Sequence, residues 1–353
     1  PPPPPPPFFQ AEDGIRDNIP SLVGSEMCIR DRPEPGQGEV RLRLRTAALN
    51  HLDLFVLGGL PGIPIGLPHI GGADGAGTVD AIGPGVDGIE SGDEVIFDPG
   101  LSCGRCEYCR SGEHSLCVRF GVLGEHNDGT FAEYVVVAAD SLAPRPSHLS
   151  WEEAAALGLT YLTAWRMLIN RGGLRPGQSV LIHGIGGGVA LACLHLGKLM
   201  GATVIATSRD EGKRTRALEL GADEVLPSDN KVAKEVRKIT GKRGVDIVVD
   251  SVGAATWMQS LKAAAKGGRI LTCGATSGAN PEEEIRLIFW NQLSVIGSTM
   301  GSREDWRQLV AAVNAHKLRP VVDSVVRLRD GRSAYERLDG AEQFGKIVLS
   351  IDG

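Results

Sequence analysis

From position 150 onward the apolar residues fall into short runs separated by stretches of helical period. Residues 179–183 (SVLIH) form one such run, ending at Gly184. Val189, Cys193, Leu196 and Met200 then recur at helical spacing on one face, and residues 203–207 (TVIAT) form the next run. Runs at 224–226, 246–250, 269–273 and 294–297 continue the series. Helical patterns fall between them, including 211–220, closed by Gly221, and 254–265. This alternation predicts a doubly wound parallel sheet with helices on both faces. Ser150-Trp151-Glu152-Glu153 reads as a capping box that opens the unit.

Before position 150 the pattern changes. Residues 39–47 (EVRLRLRTA) alternate polar and apolar, as a half-buried strand does. Residues 50–57 follow, then a Gly- and Pro-rich loop to His69 and a glycine cluster at 71–77 (GGADGAG). Further strands are predicted at 77–82, 92–97 and 129–137. Strands this short and closely spaced suggest a small β-barrel or sandwich. The last part, 302–353, holds a helical pattern at 305–316 and short strands ending at 347–351, and is expected to return to the first domain. The predicted division is thus 33–150 completed by 300–353, with 151–299 as a second domain. Residues 1–32 begin with seven prolines and show no core pattern. FFQAEDGIRD and SLVGSEMCIRDR resemble translated sequencing-adaptor sequence, and a natural disordered leader is the alternative. The stretch lacks the basic start, apolar core and cleavage site of a signal peptide.

Gly184, Gly186, Gly187 and Gly188 crowd the turn after the first run of the second domain, followed by Val189 and Ala190. A helix that starts there presents free N–H groups and the positive end of its dipole to a pyrophosphate. Glycines let backbone approach the phosphates and let helix pack on sheet. Alone, such a turn also fits a mobile loop; between strand, helix and strand it points to dinucleotide binding. The acidic residue that grips an NAD ribose usually ends the second strand. Here Ser208 holds that place, followed by Arg209, with Lys213 one turn into the helix. Donors and positive charge suit a 2′-phosphate, so NADP(H) is expected, with NAD(H) as the alternative because Asp210 is adjacent.

Cys103, Cys106 and Cys109 stand at intervals of three, and Cys117 follows eight positions later. Four thiolates in one loop fit Zn²⁺ with no open coordination position, so a structural zinc is expected; an iron–sulfur centre is the rival. His114 in the same loop is expected to face solvent. The other three of seven cysteines are scattered, which argues for a reducing, cytoplasmic setting over a disulfide framework. A net charge of −6 with no basic block makes nucleic acid an unsuitable partner. No apolar run is long enough to span a bilayer.

A four-cysteine lobe followed by this nucleotide fold resembles the medium-chain dehydrogenase/reductase superfamily, which includes zinc alcohol dehydrogenases and quinone reductases. The likeness covers roughly residues 33–353. GIGGGVA, GATVIATSR, GGRILTCGATSG and FGKIVL fall in family order, and LNHLDL, GEHNDGTFAEY, LTYLTAWRML and STMG look like zinc-binding-dehydrogenase homologues. The resemblance implies a GroES-like β-barrel catalytic domain plus a Rossmann cofactor domain, a small-molecule carbonyl or quinone substrate, and a homodimer formed through the nucleotide domain. It also implies that Thr163, Gly274, Ala275 and Thr276 lie near the nicotinamide, that Tyr161 lines the pocket, and that Lys346 reaches the cofactor or is plain surface charge.

One departure carries information. Zinc alcohol dehydrogenases take their catalytic metal from a Cys, a His and a second Cys. By order and local pattern those positions fall here on Asn50, Ala73 and approximately Leu159, with Asp74 in place of the carboxylate beside the His. A catalytic zinc needs about three protein ligands and an open position, so one zinc per chain is expected and it does no chemistry. Without a Lewis acid, quinones and α,β-unsaturated carbonyls are easier acceptors than simple ketones. The expected activity is NADPH-dependent reduction of such substrates. A zinc-type alcohol dehydrogenase and a non-enzymatic NADPH-binding protein are the alternatives. Asn50 is the leading polar group for the substrate oxygen, His51 a candidate proton relay, and Asp53 a group better suited to a structural hydrogen bond. A tyrosine that quinone reductases often carry has no counterpart at 57–62.

Overall fold

The computed structural model describes residues 32–59 and 65–351. The leader, apart from Arg32, and part of the 57–62 stretch lie outside the described residues. Fifteen strands are seen among them: β1 (Glu39–Ala48), β2 (Asp74–Ile82), β3 (Glu94–Phe97), β4 (Gly100–Leu101), β5 (Gly121–Val122), β6 (Tyr134–Ala138), β7 (Leu142–Pro144), β8 (Ser179–Ile182), β9 (Thr203–Ser208), β10 (Glu224–Pro227), β11 (Val245–Val249), β12 (Ala264–Thr272), β13 (Ser294–Gly297), β14 (Val322–Arg327) and β15 (Lys346–Ser350).

The first sheet is organised on β1. Val40, Leu42 and Leu44 are fully buried while Arg43 and Arg45 are exposed, so the predicted alternation holds. Arg41 is the buried exception, its Nε donating to Asp80 at 2.6 Å. The strand order is β14-β15-β1-β2-β3-β7, with β6 also on β1. The last part of the chain therefore returns to the first sheet. Three strand starts in this sheet differ from the sequence reading by more than one residue, and β3 begins at Glu94 and not at 92. β2 begins at Asp74 and not at 77. Residues 129–131 stay outside β6 because their N–H groups go to the carbonyls of Ile70, Gly72 and Gly71. Gly72 has φ +96°, and a Cβ there would lie 2.5 Å from Phe131 Cδ1 and Thr130 Oγ1. The second glycine cluster is thus a close-packing device that seats the start of β2.

The second sheet is wholly parallel, in the order β10-β9-β8-β11-β12-β13. Val180, Ile182, Val204 and Ile247 pack on one face, Leu181, Ile205, Val248 and Ile270 on the other. Burial on both faces explains why these strands read as continuous apolar runs. The order reverses between β8 and β11, which opens a crevice at their carboxyl ends. The predicted capping box is present: Ser150 Oγ accepts from Glu153 N at 3.2 Å, and Glu153 Oε2 accepts from Ser150 N at 2.9 Å. Among the described residues no helix is long and apolar enough to cross a membrane.

Candidate active site

A cleft of about 830 Å³ runs from the glycine turn to the first sheet. At its floor Gly184 (φ +71°) ends the first strand of the parallel sheet, and Gly187 is the N-cap of the helix Gly188–Leu199. The first N–H to bond back within that helix is Leu191's, to Gly187 O at 3.0 Å. The N–H groups of Gly188, Val189 and Ala190 are therefore first-turn donors, and all three residues line the cleft. A Cβ on Gly188 would lie 2.8 Å from Thr160 Cγ2 and 3.1 Å from Lys346 Cδ. This bare turn fits a pyrophosphate. Gly186 (φ +118°) does not line the cleft; its carbonyl accepts from Gly345 N at 2.9 Å and ties the turn to the C-terminal segment.

At one end of the cleft lie Ser208, Arg209, Asp210 and Lys213. The Asp210 carboxylate is committed to capping the next helix, accepting from Lys213 N at 2.7 Å. Ser208 Oγ accepts from Asp210 N at 3.2 Å. Arg209 is exposed, and half-buried Lys213 donates from Nζ to the Ala341 carbonyl. The charge at this edge is thus net positive, with its one carboxylate turned into a helix cap.

At the other end a buried polar cluster is set by strand register. β1 pairs antiparallel with β15, Ala48 opposite Val348, and with β2, Ala48 opposite Asp74. Two residues further on, the same register puts Asn50 across from Lys346. Lys346 Nζ donates to Asn50 Oδ1 and, at 2.9 Å, to Asp74 Oδ2. Asn50 Nδ2 also donates to Asp74 Oδ2 at 2.9 Å, and Leu159 N donates to Asp74 Oδ1 at 2.6 Å. Asn50, Asp74 and Lys346 are each at most 4% exposed. Asn50, one of the three positions that the sequence reading matched to zinc ligands, thus contacts the Lys346 ammonium and the Asp74 carboxylate, while Ala73 and Leu159 offer no ligand atom. Lys346 is neither plain surface charge nor aimed only at the cofactor.

Asp53 is buried behind this cluster and does not line the cleft; its Oδ2 accepts from Asn50 N at 2.6 Å. Burial pushes its carboxyl up to about 7. His51 is at the cleft wall, edge-on to Phe55. Thr163 lines the cleft, donating to Leu159 O at 2.7 Å. Gly274 and Thr276 line it as well, whereas Ala275 packs against Gly253. Tyr161 departs from expectation: it is buried between helices with its hydroxyl 2.8 Å from His195 Nδ1 and is not on the cleft wall. Glu125, passed over in the sequence, lines the cleft, and burial raises its carboxyl above the usual range. Its only sequence signal was a place in the GEHNDG loop.

The cysteine lobe lies apart, framed by β4 and β5. The sulfurs of Cys103, Cys106, Cys109 and Cys117 all lie within 4.8 Å of one another. The N–H groups of Cys109 and Val118 lower the Cys106 thiol to about 6, while burial pushes Cys109 up to about 11. Four converging sulfurs with a pre-polarised thiol fit a tetrahedral Zn²⁺ that would be held by those four residues alone. His114 stays out of the cluster, its Nδ1 3.1 Å from Gly112 O.

Residues 36–147 match the alcohol dehydrogenase GroES-like domain and residues 188–315 the zinc-binding dehydrogenase domain. The chain is 32% identical to an alcohol dehydrogenase of Geobacillus stearothermophilus, covering 91% of this chain and 95% of that one. It is also 32% identical to an acryloyl-coenzyme A reductase of Metallosphaera sedula, covering 90% and 94%. A solved structure described as an NAD-dependent alcohol dehydrogenase superposes with a TM-score of 0.87 at 48% identity, covering 91% and 94%.

Proposed function

The chain belongs to the medium-chain dehydrogenase/reductase superfamily, and from that membership we propose that it is an NADPH-dependent reductase of quinones or α,β-unsaturated carbonyls working without a catalytic zinc. The observation that supports this is the buried Asn50–Asp74–Lys346 cluster, which includes one of the positions expected from sequence order for a metal ligand and offers one amide, one carboxylate and one ammonium. The nicotinamide, when bound, supplies the hydride. The chain's part is to orient the acceptor over Thr163 and to stabilise negative charge on its oxygen. In a conjugated acceptor that charge is already delocalised, so hydrogen bonds suffice where a simple ketone would need a Lewis acid. Similarity to a protein named acryloyl-coenzyme A reductase supports an unsaturated acyl acceptor.

For the cofactor, Ser208, Arg209 and Lys213 favour a 2′-phosphate, and the structural zinc is assigned to the four cysteines. The names of several relatives specify NAD or alcohol, so alcohol dehydrogenation with NAD(H) is the competing reading. We assign residues 33–150 with 300–353 to the catalytic domain and 151–299 to the cofactor domain. Ile285, Phe289 and Trp290 are 61–75% exposed beside the edge strand β13, which suits a homodimer through the nucleotide domain. The reduced thiol cluster suits a cytoplasmic setting.

The test is stopped-flow oxidation of NADPH with a panel of enones and quinones, alongside alcohol oxidation with NAD⁺ and NADP⁺, in wild type and Asn50→Ala. Turnover of enones or quinones, insensitive to chelators and reduced in the variant, is expected. Chelator-sensitive alcohol oxidation as the only activity would overturn the reading.

A further inference from the structure

Resting on that reductase reading, we propose that the Lys346 ammonium takes over the electrostatic role of the missing metal. It is the catalytic residue that receives the substrate's carbonyl oxygen, with Asn50 and Asp74 as positioning residues. An ammonium carries three N–H donors. Among the described residues Nζ has two acceptors, Asn50 Oδ1 and Asp74 Oδ2, which leaves one donor unassigned. Lys346 and Asn50 line the cleft, and Asp74 does not. The carboxylate therefore sits behind the ammonium, anchored on its far oxygen by the Leu159 N–H. The lysine stem reaches this point across Gly188, where any side chain would crowd its Cδ. The other cleft cations, Arg209 and Lys213, stand with Ser208 at the ribose edge. An ammonium held in a fixed direction by Asn50 and Asp74 is a preorganised donor for a developing oxyanion, with part of its charge offset by the Asp74 carboxylate.

A lysine that merely bound the cofactor would be equally conspicuous, so the experiment separates the two roles. The probe is 4-nitrophenol, whose phenolate absorbs in the visible and mimics a carbonyl oxygen gaining charge. Wild type is compared with Lys346→Arg and with the double variant Lys346→Met/Asp74→Asn, which removes both buried charges together and so avoids an orphaned carboxylate. Thermal unfolding and zinc content identify folded protein. Wild type with NADP⁺ bound is expected to shift the bound probe toward phenolate by about tenfold or more, and the double variant to lose that shift. NADP⁺ affinity, read by fluorescence, should change less than about threefold, well under the tenfold that a lost charge-assisted phosphate contact gives. Lys346→Arg should keep part of the shift.

No shift in wild type, or an equal shift in the double variant, overturns the proposal. So does an NADP⁺ affinity that falls tenfold or more while the probe is unaffected. If wild type holds phenolate but reduces no enone or quinone, the reductase reading fails and the anion-receiving role stands. If it reduces them and the double variant leaves the chemical step and the probe unchanged, the role of Lys346 fails and the reductase reading stands.

Discussion

Substituting Cys106 by Ser should remove all the zinc from this protein and leave its two sheets folded. With Zn–S bonds of about 2.3 Å, a regular tetrahedron has S···S edges of about 3.8 Å. The four sulfurs already lie within 4.8 Å of one another, with Cys106 and Cys109 Sγ 3.5 Å apart. Closing on the ion therefore needs only shifts of under about 1 Å. Binding at such sites contributes on the order of 10 kcal/mol, enough to hold a loop with little apolar core of its own. The lobe is also tied to the rest of the protein from outside. Glu113 pairs with buried Arg166, which donates to Asp305 at 2.9 Å, and Asp98 beneath the lobe pairs with Arg303. Those ties involve no sulfur, so loss of metal should loosen the lobe locally. The assay is metal content by mass spectrometry after exhaustive dialysis, with circular dichroism and proteolysis mapping the loosened segment. One zinc per chain in wild type and under about 0.2 in Cys106→Ser is expected. Two zincs in wild type would refute the reasoning by requiring a second site outside the cysteine lobe, and one that survives in Cys106→Ser would show that Cys106 is not needed to hold the ion.

Three further outcomes follow from the geometry. Asp53, raised to about 7 in the fold, keeps a proton that the unfolded chain releases near pH 4; stability is greatest below pH 4 for this group and falls as pH rises to 7, by up to about 1.4 kcal/mol per unit. Asp53→Asn should flatten urea-measured stability between pH 5 and 8, and an unchanged slope would show that burial does not hold this carboxyl up. Ser208→Asp with Arg209→Ala should move the kcat/KM preference toward NADH by about tenfold or more, since each charge-assisted contact to the 2′-phosphate is worth roughly 1.5–3 kcal/mol; a preference that does not move would shift the discriminating contacts elsewhere. In the proposed homodimer, Phe289→Glu with Trp290→Ser should yield a monomer by light scattering, because a charge placed on an apolar contact is strongly unfavourable; an oligomeric state unchanged from wild type would remove this patch as the interface.

What could be read from the chain, and what could not, divides along a physical line. The parallel sheet was legible because both its faces are buried, so that residues such as Val180 and Leu181 are apolar although they point in opposite directions. The cysteine lobe was legible because its ligands are close in sequence. Strand bounds were less so: residues 129–131 look like the start of a strand, yet their N–H groups bond to carbonyls at 70–72. Tyr161 was misplaced because helical position alone does not say which side of a buried helix meets the cleft. The role of Lys346 was hidden for a different reason. It lies 296 positions from Asn50, and only the register of β1 on β15, Thr46 opposite Ser350 and Ala48 opposite Val348, carries the two together. Leu49 N extends that ladder to Ile347 O at 2.9 Å. A slip of one residue would turn the lysine to the other face of the sheet and leave Asp74 buried without its cation, which costs several kcal/mol. The ion pair thus selects the register as much as the register builds the ion pair. In this protein a buried amide and a buried ammonium from opposite ends of the chain meet at one carboxylate, and strand register alone joins them.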